Sequence, residues 1–332
     1  MDNVIKAQLT KESIKAFVEA RAASTGVLAN PSLVQRKTTS NPDLFVLKYT
    51  KKVFYDNLWT QELLECRGTI VDKDYNVVSR PFTKVFNYLE NGTTIDPDTE
   101  CVCVRKLNGF LSAVTIYKNK LLISTTGSID SEFVDLAKKQ LEPYLPEIER
   151  QIGREYAGHL TCIFEIIDKS DPHIVEGEEG AYLIGMRDNY WDSRNLKEFE
   201  LDMWAKAIGC KRPEWNITKL SDILEEVKTV KHEGFMVYSV AGDTYFKGSD
   251  EPVTSLKIKS PYYLSKKALM RMGSNQVDKM FDKPEEFKKR LDEEFYAIFK
   301  YIISSFTKEH WASLTEQERR KVIEGYFKHD SK

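Results

Sequence analysis

The chain has 332 residues, of which 41% are hydrophobic, enough for a sizeable core and more than one small domain needs. Its 49 lysine and arginine residues nearly balance 51 aspartate and glutamate residues, which excludes a protein drawn to nucleic acid by its overall charge. Any contact with nucleic acid must therefore use a local patch.

The five cysteines include no CxxC pair, and an odd number in a chain of this length argues against a disulfide framework. The stretch MDNVIKAQLTKES lacks the apolar core of a signal peptide, and YAIFKYIISSF is interrupted by Lys300. We therefore expect a soluble, cytoplasmic protein in a reducing compartment, with buried or idle thiols and no membrane contact.

The first half of the chain is predicted to be rich in strands. Between Leu44 and Asn87, the stretches LFVLKYT, RGTIVD and NVVSRPFTKVFN carry many β-branched and aromatic residues, and short strands continue from Val102 to Thr126. Within them, VRKLNGFLSAV predicts a hairpin with Asn108-Gly109 at its tight turn, because both residues tolerate positive φ. A second break falls at residues 118–120. Connections this short indicate antiparallel sheets.

Helices and strands then alternate. The apolar spacing of SEFVDLAKKQLEPYLPEIERQI predicts a helix that is capped by Asp130 or Ser131 and interrupted at Pro143. Strands (LTCIFEII, AYLIGMRD), two helices (NLKEFELDMWAKAIG, LSDILEEVKTV) and further strands (GFMVYSV, TYFKG, SLKIK) follow. After Pro261 only amphipathic helical patterns remain. We predict an α+β fold, with a body over residues 1–265 and a helical C-terminal domain over residues 266–332.

Several charged residues interrupt apolar strands or stand near strand ends. They are Arg67, Lys84, Lys106, Glu165, Glu233, Lys257 and Lys259. Alternation offers a plain explanation for some, since Lys257 and Lys259 would share one solvated strand face, and Lys106 alone could be an exposed loop residue. However, burying a charge without a partner costs free energy, so charged residues within apolar strands indicate a functional site. As a set, these residues suit nucleotidyl transfer.

The chemistry of nucleotidyl transfer explains each residue type. An amine such as that of Lys106 is nucleophilic only when neutral, and neighbouring cations such as Lys257 and Lys259 lower its pKa. The same cations would neutralise a triphosphate and the charge that grows on the transferred phosphorus. Glu233 could hold Mg²⁺, and Glu165 could accept a hydrogen bond from a ribose hydroxyl.

Other sites are less favoured by the sequence. The GxGxxG and GxxxxGK phosphate loops are absent, and the five histidines show no metal-pair spacing, so His173 and His232 are expected to be loop residues. The C-terminal helices carry basic residues interleaved with acids, which predicts a solvated face or, alternatively, an RNA docking surface. These residues are Lys288, Lys289, Arg290, Arg319, Arg320 and Lys321.

The order and spacing of ECRG, SRPFTKVFN, K-x-N-G, TTGSI, IFEII, EGFMVY and LKIKSPYYLSKK resembles the covalent nucleotidyltransferases. The resemblance covers about residues 60–267 and is closest to the ATP-dependent RNA ligases of the T4 RNA ligase 1 type. It implies a nucleotidyltransferase (ATP-grasp-like) domain that uses ATP with Mg²⁺ or Mn²⁺. It also implies a monomer that joins RNA 5′-phosphate and 3′-hydroxyl ends in RNA or tRNA repair.

The resemblance assigns roles to individual residues. It implies that Lys106 forms lysyl-AMP, that Glu165 contacts the ribose and that Glu233 binds the metal. Lys257 and Lys259 match the phosphate-binding lysines of the last motif, and Lys106, Lys257 and Lys259 are the implied catalytic residues. The implied nucleotide-binding residues also include Arg67 and Lys84 on the ATP phosphates, Asn108 and Gly109 in the nucleophile motif, and the strand Tyr182 to Met186 beside the adenine.

Two positions depart from the family pattern. Asn108 stands where the family mostly has aspartate. Some tRNA-splicing ligases resemble this chain in having asparagine there, so we interpret Asn108 as a variant that keeps the hydrogen bonding without the negative charge. Ser124 and Thr126 stand where the phage enzyme has lysines flanking a serine. That strand therefore lacks the cations for phosphate contacts.

Two alternatives stay open at this point. One is a related nucleotidyltransferase with another nucleotide or acceptor, such as a capping guanylyltransferase or a DNA ligase, although helical patterns occupy the place of the OB-fold that such enzymes add. The other is a non-catalytic RNA-binding relative, which would bind RNA in a salt-dependent manner and form no covalent nucleotide.

Overall fold

The structure is a computed structural model that describes residues 9–20, 32–155, 159–171, 173–175, 177–191, 195–240, 254–291 and 295–330. The predicted strand TYFKG lies outside these residues. The strands are β1 Val34–Thr38, β2 Leu44–Tyr49, β3 Arg67–Asp72, β4 Val77–Ser79, β5 Phe86–Asn87, β6 Glu100–Arg105, β7 Phe110–Tyr117, β8 Lys120–Thr125, β9 Leu160–Ile167, β10 Gly180–Asp188, β11 Trp215–Lys219, β12 Gly234–Ser239 and β13 Ser255–Lys259.

The helices are numbered in the same way. They are α1 Lys11–Glu19, α2 Lys51–Tyr55, α3 Gln61–Glu65, α4 Glu132–Leu141, α5 Leu145–Glu155, α6 Glu198–Ile208, α7 Leu220–Glu226, α8 Pro261–Met270, α9 Ser274–Asp282, α10 Pro284–Lys288, α11 Tyr296–Ser305, α12 Lys308–Ser313 and α13 Glu316–Asp330. None of the helices described is both long and apolar enough to span a membrane. All five cysteines are free thiols.

The chain divides into two compact units, each built from three separate segments. The first unit comprises Met1–Val85, Gly109–Asp168 and Glu178–Pro213, and the second comprises Phe86–Asn108, Lys169–Gly177 and Glu214–Lys332. The chain therefore passes from the second unit to the first at the peptide bond between Asn108 and Gly109.

The first unit contains two antiparallel sheets, with strand orders β1-β2-β3-β4 and β10-β9-β7-β8. Helices α4, α5 and α6 cover the second of these sheets with a core that includes Leu141, Ile148, Phe164 and Leu201. Ser131 is the N-cap of α4, and the break between α4 and α5 contains Pro143. The predicted interrupted helix is therefore confirmed.

The hairpin predicted at Asn108-Gly109 is wrong. Strand β6 pairs with β11 and β12, whereas β7 pairs with β8 and β9, so the two strands lie in different sheets. Neither Asn108 nor Gly109, both of which the structure describes, has positive φ. The tight turn lies instead between β7 and β8, where Lys118 and Asn119 have φ of 49° and 60°. Because β6 and β7 pair with strands of different sheets, their tertiary packing outweighs the local preference of Asn108-Gly109 for a hairpin turn.

The second unit contains one five-stranded sheet and the C-terminal helices α8–α13. The strand order is β11-β6-β12-β13-β5, and the pairing is antiparallel except between β13 and β5. Beyond β13, the described residues form helices and no strand, with a core around Leu269, Phe295 and Trp311. The helical C-terminal region is thus confirmed. The boundary near residue 265 falls within α8, and the domain division there stays a prediction.

One C-terminal arginine does not belong to a solvated face. Arg319 is 5% exposed, and its guanidinium donates hydrogen bonds to the carbonyl oxygens of Trp311 at 2.9 and 3.1 Å and of Met272 at 3.0 Å. These hydrogen bonds join α13 to α12 and to the chain that follows α8. The predicted solvated face and the alternative docking surface both exclude Arg319, while Lys289 and Lys321 are exposed.

Candidate active site

A buried carboxylate, Glu233, gathers three other predicted site residues around it in the second unit. Glu233 is 3% exposed and lies directly before β12. Its Oε2 accepts hydrogen bonds from Lys106 Nζ at 2.8 Å and from Asn108 Nδ2 at 3.0 Å, and its Oε1 lies 3.2 Å from Lys259 Nζ. Two lysines and an amide thus converge on one carboxylate.

Backbone geometry fixes Lys106 and Lys259 around this carboxylate. Lys106 follows β6, and its N–H donates to the Gly234 carbonyl at 2.8 Å. Gly234 has φ of 131° and lies opposite Lys259 in the sheet, and a Cβ atom there would lie 2.0 Å from the Ile258 carbonyl oxygen. Only glycine fits so close an approach of two strands. Gly234 is therefore a structural requirement of this cluster.

Asn108 makes two hydrogen bonds of opposite sense. Its Nδ2 donates to Glu233, and its Oδ1 accepts from the Val175 N–H at 3.0 Å. An aspartate could not donate to Glu233 and would bring a second negative charge to it. The asparagine is thus held by its side-chain amide and not by a turn.

The cluster keeps Glu233 ionised. Burial alone would raise the pKa of Glu233, but Lys106 and Lys259 outweigh it and lower the pKa below its usual range. Lys267 on α8 is not among the predicted site residues, and its pKa is lowered by burial and then by Lys259 and Arg271. Its only sequence signal is its place in LKIKSPYYLSKK, eight residues after Lys259.

The start of α8 fixes the end of β13. Ser260 is the N-cap of α8, where its Oγ accepts from the Tyr263 N–H at 3.1 Å and donates to the His232 carbonyl at 2.6 Å. Lys257 lies two residues before Lys259 and hence on the same strand face. The motif KIKS therefore ends the strand and starts the helix beside Glu233.

The two histidines that were expected in loops lie in loops. His232 Nδ1 accepts from the Gly234 N–H at 3.1 Å, and His173 Nε2 lies 3.5 Å from Asp171 Oδ2. Burial lowers the pKa of both histidines. Among the residues described, no group of three or more histidine, cysteine or carboxylate side chains could hold a metal ion.

A second predicted pair meets in the first unit. The Gly109 N–H donates to Glu165 Oε1 at 2.8 Å, and a Cβ atom on Gly109 would lie 2.2 Å from the Ile166 carbonyl oxygen. Glu165 lies opposite Tyr182 in the sheet, at the start of the strand predicted to border the adenine. Gly109 is thus required by the packing of β7 against β9.

Arg67 and Lys84 lie on different segments of the first unit. Arg67 begins β3, directly opposite Lys48 on β2. Lys84 follows β4 in irregular chain, with Nζ 5.3 Å from the centroid of the Trp59 ring. The predicted strand SRPFTKVFN is therefore wrong over residues 80–85.

A buried network that the sequence analysis missed holds the ECRG and SRPFTK segments together. Glu65 Oε2 accepts from Arg80 Nε at 3.2 Å, while its Oε1 accepts from Thr83 Oγ1 at 2.7 Å and from Arg187 Nη2 at 3.4 Å. Burial lowers the pKa of Arg187 to about 10, which leaves it charged at neutral pH. The signal was a charged residue within each apolar stretch, but pairing across more than 100 residues cannot be deduced from one sequence.

Comparison with known families decides the identity. The sequence profile of the RNA ligases of the T4 RNA ligase 1 type matches residues 65–263, more than half of the chain. The chain belongs to the RNA ligase family. A comparison with curated protein sequences gives no significant match.

Solved structures share the fold of this RNA ligase. An archaeal ATP-dependent RNA ligase in its form 1 is 16% identical with a TM-score of 0.57, covering 96% of this chain and 83% of that chain. Form 2 is 15% identical with a TM-score of 0.54, covering 95% and 78%. A putative ATP-dependent DNA ligase from Aquifex aeolicus is 14% identical with a TM-score of 0.50, covering 89% and 75%. These likenesses confirm the predicted α+β nucleotidyltransferase fold.

Proposed function

We propose that this RNA ligase is ATP-dependent and joins RNA 5′-phosphate to 3′-hydroxyl ends through lysyl-AMP on Lys106. The observation that carries the proposal is the buried Glu233 carboxylate, shared by Lys106, Asn108 and Lys259. Lys106 thus shares one carboxylate with a second cation, which places a candidate nucleophile near positive charge for a phosphate. The archaeal RNA ligases that share this fold are ATP-dependent.

In the proposed first step, Lys106 Nζ forms a bond to the α-phosphorus of ATP as the bond to the β-phosphate oxygen breaks. Pyrophosphate leaves, and the amine loses a proton. Because Lys106 Nζ donates a hydrogen bond to Glu233, the amine must leave this carboxylate before it attacks the phosphorus. Lys259, and Lys257 on the same strand face, supply positive charge for the α-phosphate.

In the remaining steps, AMP passes from Lys106 to an RNA 5′-phosphate, and an RNA 3′-hydroxyl then displaces AMP to form the phosphodiester. Arg67 and Lys84 on the ATP phosphates, Glu165 on the ribose and the strand from Tyr182 beside the adenine keep the roles that the family resemblance implies. Those roles are predictions.

Glu233 fits the proposed divalent metal. Its carboxylate is ionised and buried, and Mg²⁺ is often held by one carboxylate, water and substrate phosphates. When bound, Mg²⁺ or Mn²⁺ would neutralise the triphosphate and compete with Lys106 for Glu233.

We further propose that the protein repairs broken RNA, including cleaved tRNA, as a cytoplasmic monomer. The five free cysteines are in keeping with a reducing compartment such as the cytoplasm.

The test is covalent labelling with α-labelled ATP and Mg²⁺ or Mn²⁺, followed by denaturation. We expect label on the wild-type chain, removable by acid but not by alkali, and none on Lys106→Ala. Circular dichroism would verify that the variant is folded. Exposed Lys120→Ala serves as the matched control and should label normally.

Two further arms separate the alternatives. Label from GTP instead of ATP would indicate a guanylyltransferase, and joining of DNA but not RNA ends would indicate a DNA ligase. A folded wild-type chain that takes no label from either nucleotide, yet binds RNA in a salt-dependent manner, would establish the non-catalytic alternative and contradict our proposal.

A further inference from the structure

Three exposed apolar side chains lie close together in the first unit, on α2 and the turn that follows it. Tyr55 is 76% exposed, Phe54 is 50% exposed and Leu58 is 39% exposed. The other exposed large apolar residues in the described part of the chain lie far from one another along the sequence. We call Phe54, Tyr55 and Leu58 the apolar patch. Adjacent exposed apolar side chains in a soluble protein mark an interaction site, whereas single ones do not.

The packing of α2 fixes the outward direction of the patch. Val53 is completely buried in a core of the first unit. An α-helix turns by about 100° per residue, so Phe54 and Tyr55, the next two residues, point away from this core. The chain then turns back, and the Leu58 N–H donates to the Val53 carbonyl at 3.0 Å. The patch is therefore presented to solvent by a segment that is anchored beneath it.

The two rings of the patch are arranged edge to face. The ring centroids of Phe54 and Tyr55 are 5.5 Å apart, with an interplanar angle of 79°. Each ring supports the other in this arrangement, and most of the surface of Tyr55 stays open to solvent. A flat aromatic group such as a nucleobase stacks on an exposed ring of this kind.

Positive charge lies beside the patch. Lys51 and Lys52 directly precede it on α2, and both are exposed. Lys52 pairs with Asp56 at 2.7 Å, whereas Lys51 forms no ion pair with any residue that the structure describes. Exposed aromatic rings beside a cation are typical of surfaces that bind single-stranded nucleic acid. An apolar protein partner would leave the charge of Lys51 uncompensated.

We propose that Phe54 and Tyr55 stack on unpaired bases of the RNA substrate and that Lys51 contacts a phosphate of the RNA backbone. The inference rests on the proposed joining of RNA ends and specifies the form of RNA that is bound. Bases within a duplex already stack on one another, so the patch selects single-stranded RNA. Because every base has an aromatic face, this binding shows little sequence preference.

The fluorescence of 2-aminopurine in a single-stranded RNA measures the stacking, because stacking quenches this base. The wild type should quench the fluorescence, and about tenfold more Tyr55→Ala should be needed for half-maximal binding. Tyr55→Phe keeps the ring and should restore most of the affinity. Met203→Ala removes a different side chain that is 70% exposed and should change nothing. Equal RNA affinity of the wild type, Tyr55→Ala and Phe54→Ala would overturn the proposal.

Modified RNAs separate the contribution of the bases from that of the phosphates. Abasic RNA should bind the wild type about tenfold more weakly than intact RNA does, and it should bind Tyr55→Ala as well as the wild type. A blunt RNA duplex should likewise not distinguish these two proteins. If Tyr55→Ala weakens the binding of abasic RNA as much as that of intact RNA, the ring does not stack on bases and the proposal is wrong.

The salt dependence of binding tests the role of Lys51. Loss of one phosphate contact to a single strand lowers the slope of log affinity against log salt concentration by about 0.7. Lys51→Ala should show this change, whereas Tyr55→Ala should keep the wild-type slope. An unaltered slope for Lys51→Ala would overturn the phosphate contact.

Light scattering tests for another occupant of the patch, a second copy of the chain. A wild-type dimer that Tyr55→Ala converts to a monomer, with unchanged RNA binding, would assign the patch to self-association and overturn the proposal. Because Phe54 and Tyr55 are at least half exposed, the thermal midpoints of their alanine variants should match that of the wild type, so loss of folding is not expected.

Labelling by ATP needs no RNA and separates this inference from the proposed function. Tyr55→Ala should take label as the wild type does, yet it should need about tenfold more RNA for half-maximal joining. If the wild type takes no label but quenches 2-aminopurine RNA in a manner that depends on Tyr55, the ligase chemistry fails and the RNA surface stands. Normal labelling, with RNA binding that neither alanine variant alters, would retain the chemistry and overturn the surface.

Discussion

At the scale of residues, the protonation of Glu233 is linked to folding. Its pKa in the folded chain lies below the ordinary value of 4.5, so its contribution to stability is present above pH 4.5 and is lost as pH falls through the lower, folded value. We expect Glu233→Gln to cost about 3 kcal/mol at pH 7, because Lys106 and Lys259 are only 21% exposed and lose their counter-charge.

Urea unfolding between pH 7 and pH 3.5 measures this difference. The difference in the free energy of unfolding between the wild type and Glu233→Gln should be constant down to about pH 5 and should become smaller below pH 4.5. Exposed Glu149→Gln is the matched control and should show no comparable gap. A gap that stays constant to pH 3.5 would show that the carboxylate charge does not stabilise the cluster.

The residue types of the cluster could be predicted from sequence, while their partners could not. Motifs containing Lys106, Glu233 and Lys259 name the charged residues, because charge inside an apolar strand is visible in the sequence. Lys267 carries no such signal. It becomes half-buried only through tertiary packing, and a lysine in a helix otherwise looks like any solvated lysine.

At the scale of elements, the hydrophobic pattern predicts most strands and helices, but not which strands pair. Alternation predicts β6 and β7 correctly as strands. The hairpin between them is wrong because an Asn-Gly pair is evidence about φ alone, and here the glycine serves close packing of β7 on β9. The network of Glu65, Arg80 and Arg187 is equally non-local.

Substitution of Gly109 distinguishes these two roles. Gly109→Ala should lower the free energy of unfolding by about 3 kcal/mol, because its Cβ atom would lie 2.2 Å from the backbone oxygen of Ile166 and would push β7 away from β9. Gly109→Asn should be at least as damaging. A tight turn with positive φ would instead tolerate asparagine, so a stable Gly109→Asn would restore the hairpin interpretation.

A glycine in open space provides the control for this measurement. Gly325 lies in α13, and a Cβ atom added to it would meet no other atom within 4 Å. Gly325→Ala should therefore stabilise the chain by about 0.5–1 kcal/mol through helix propensity. The opposite signs of the two glycine-to-alanine changes, measured by urea unfolding, would exclude a general effect of the added methyl group.

At the scale of the whole molecule, the sequence predicts a helical appendage from residue 266. In the structure, the C-terminal helices belong to the same compact unit as the five-stranded sheet. Ile174 and Tyr263 share a core with Leu269 and Phe295 of the helices. The neighbour of Ile174, Val175, donates to Asn108 in the Glu233 cluster. The helices therefore cover the loop that holds Asn108.

Removal of residues 266–332 tests whether these helices are separable. Each large apolar side chain that loses its cover costs about 1.5–3 kcal/mol, and several together exceed the 5–15 kcal/mol or so that stabilises a typical domain. We expect the shortened chain to lose cooperative unfolding and labelling by ATP. A soluble fragment with an unchanged unfolding midpoint and normal labelling would establish the boundary near residue 265 as a domain boundary.

Full-length variants remove the ambiguity of a truncation. Arg319→Ala leaves the carbonyl oxygens of Met272 and Trp311 without their donor and should destabilise the chain by about 2–3 kcal/mol, in the same direction as the truncation. Exposed Lys321→Ala, two residues further along α13, should stay within about 0.5 kcal/mol of the wild type. If Arg319→Ala lowers stability and labelling together, the helical core supports the nucleophile's surroundings. If stability falls while labelling persists at a temperature where the chain stays folded, the helices stabilise the unit without shaping the Glu233 cluster.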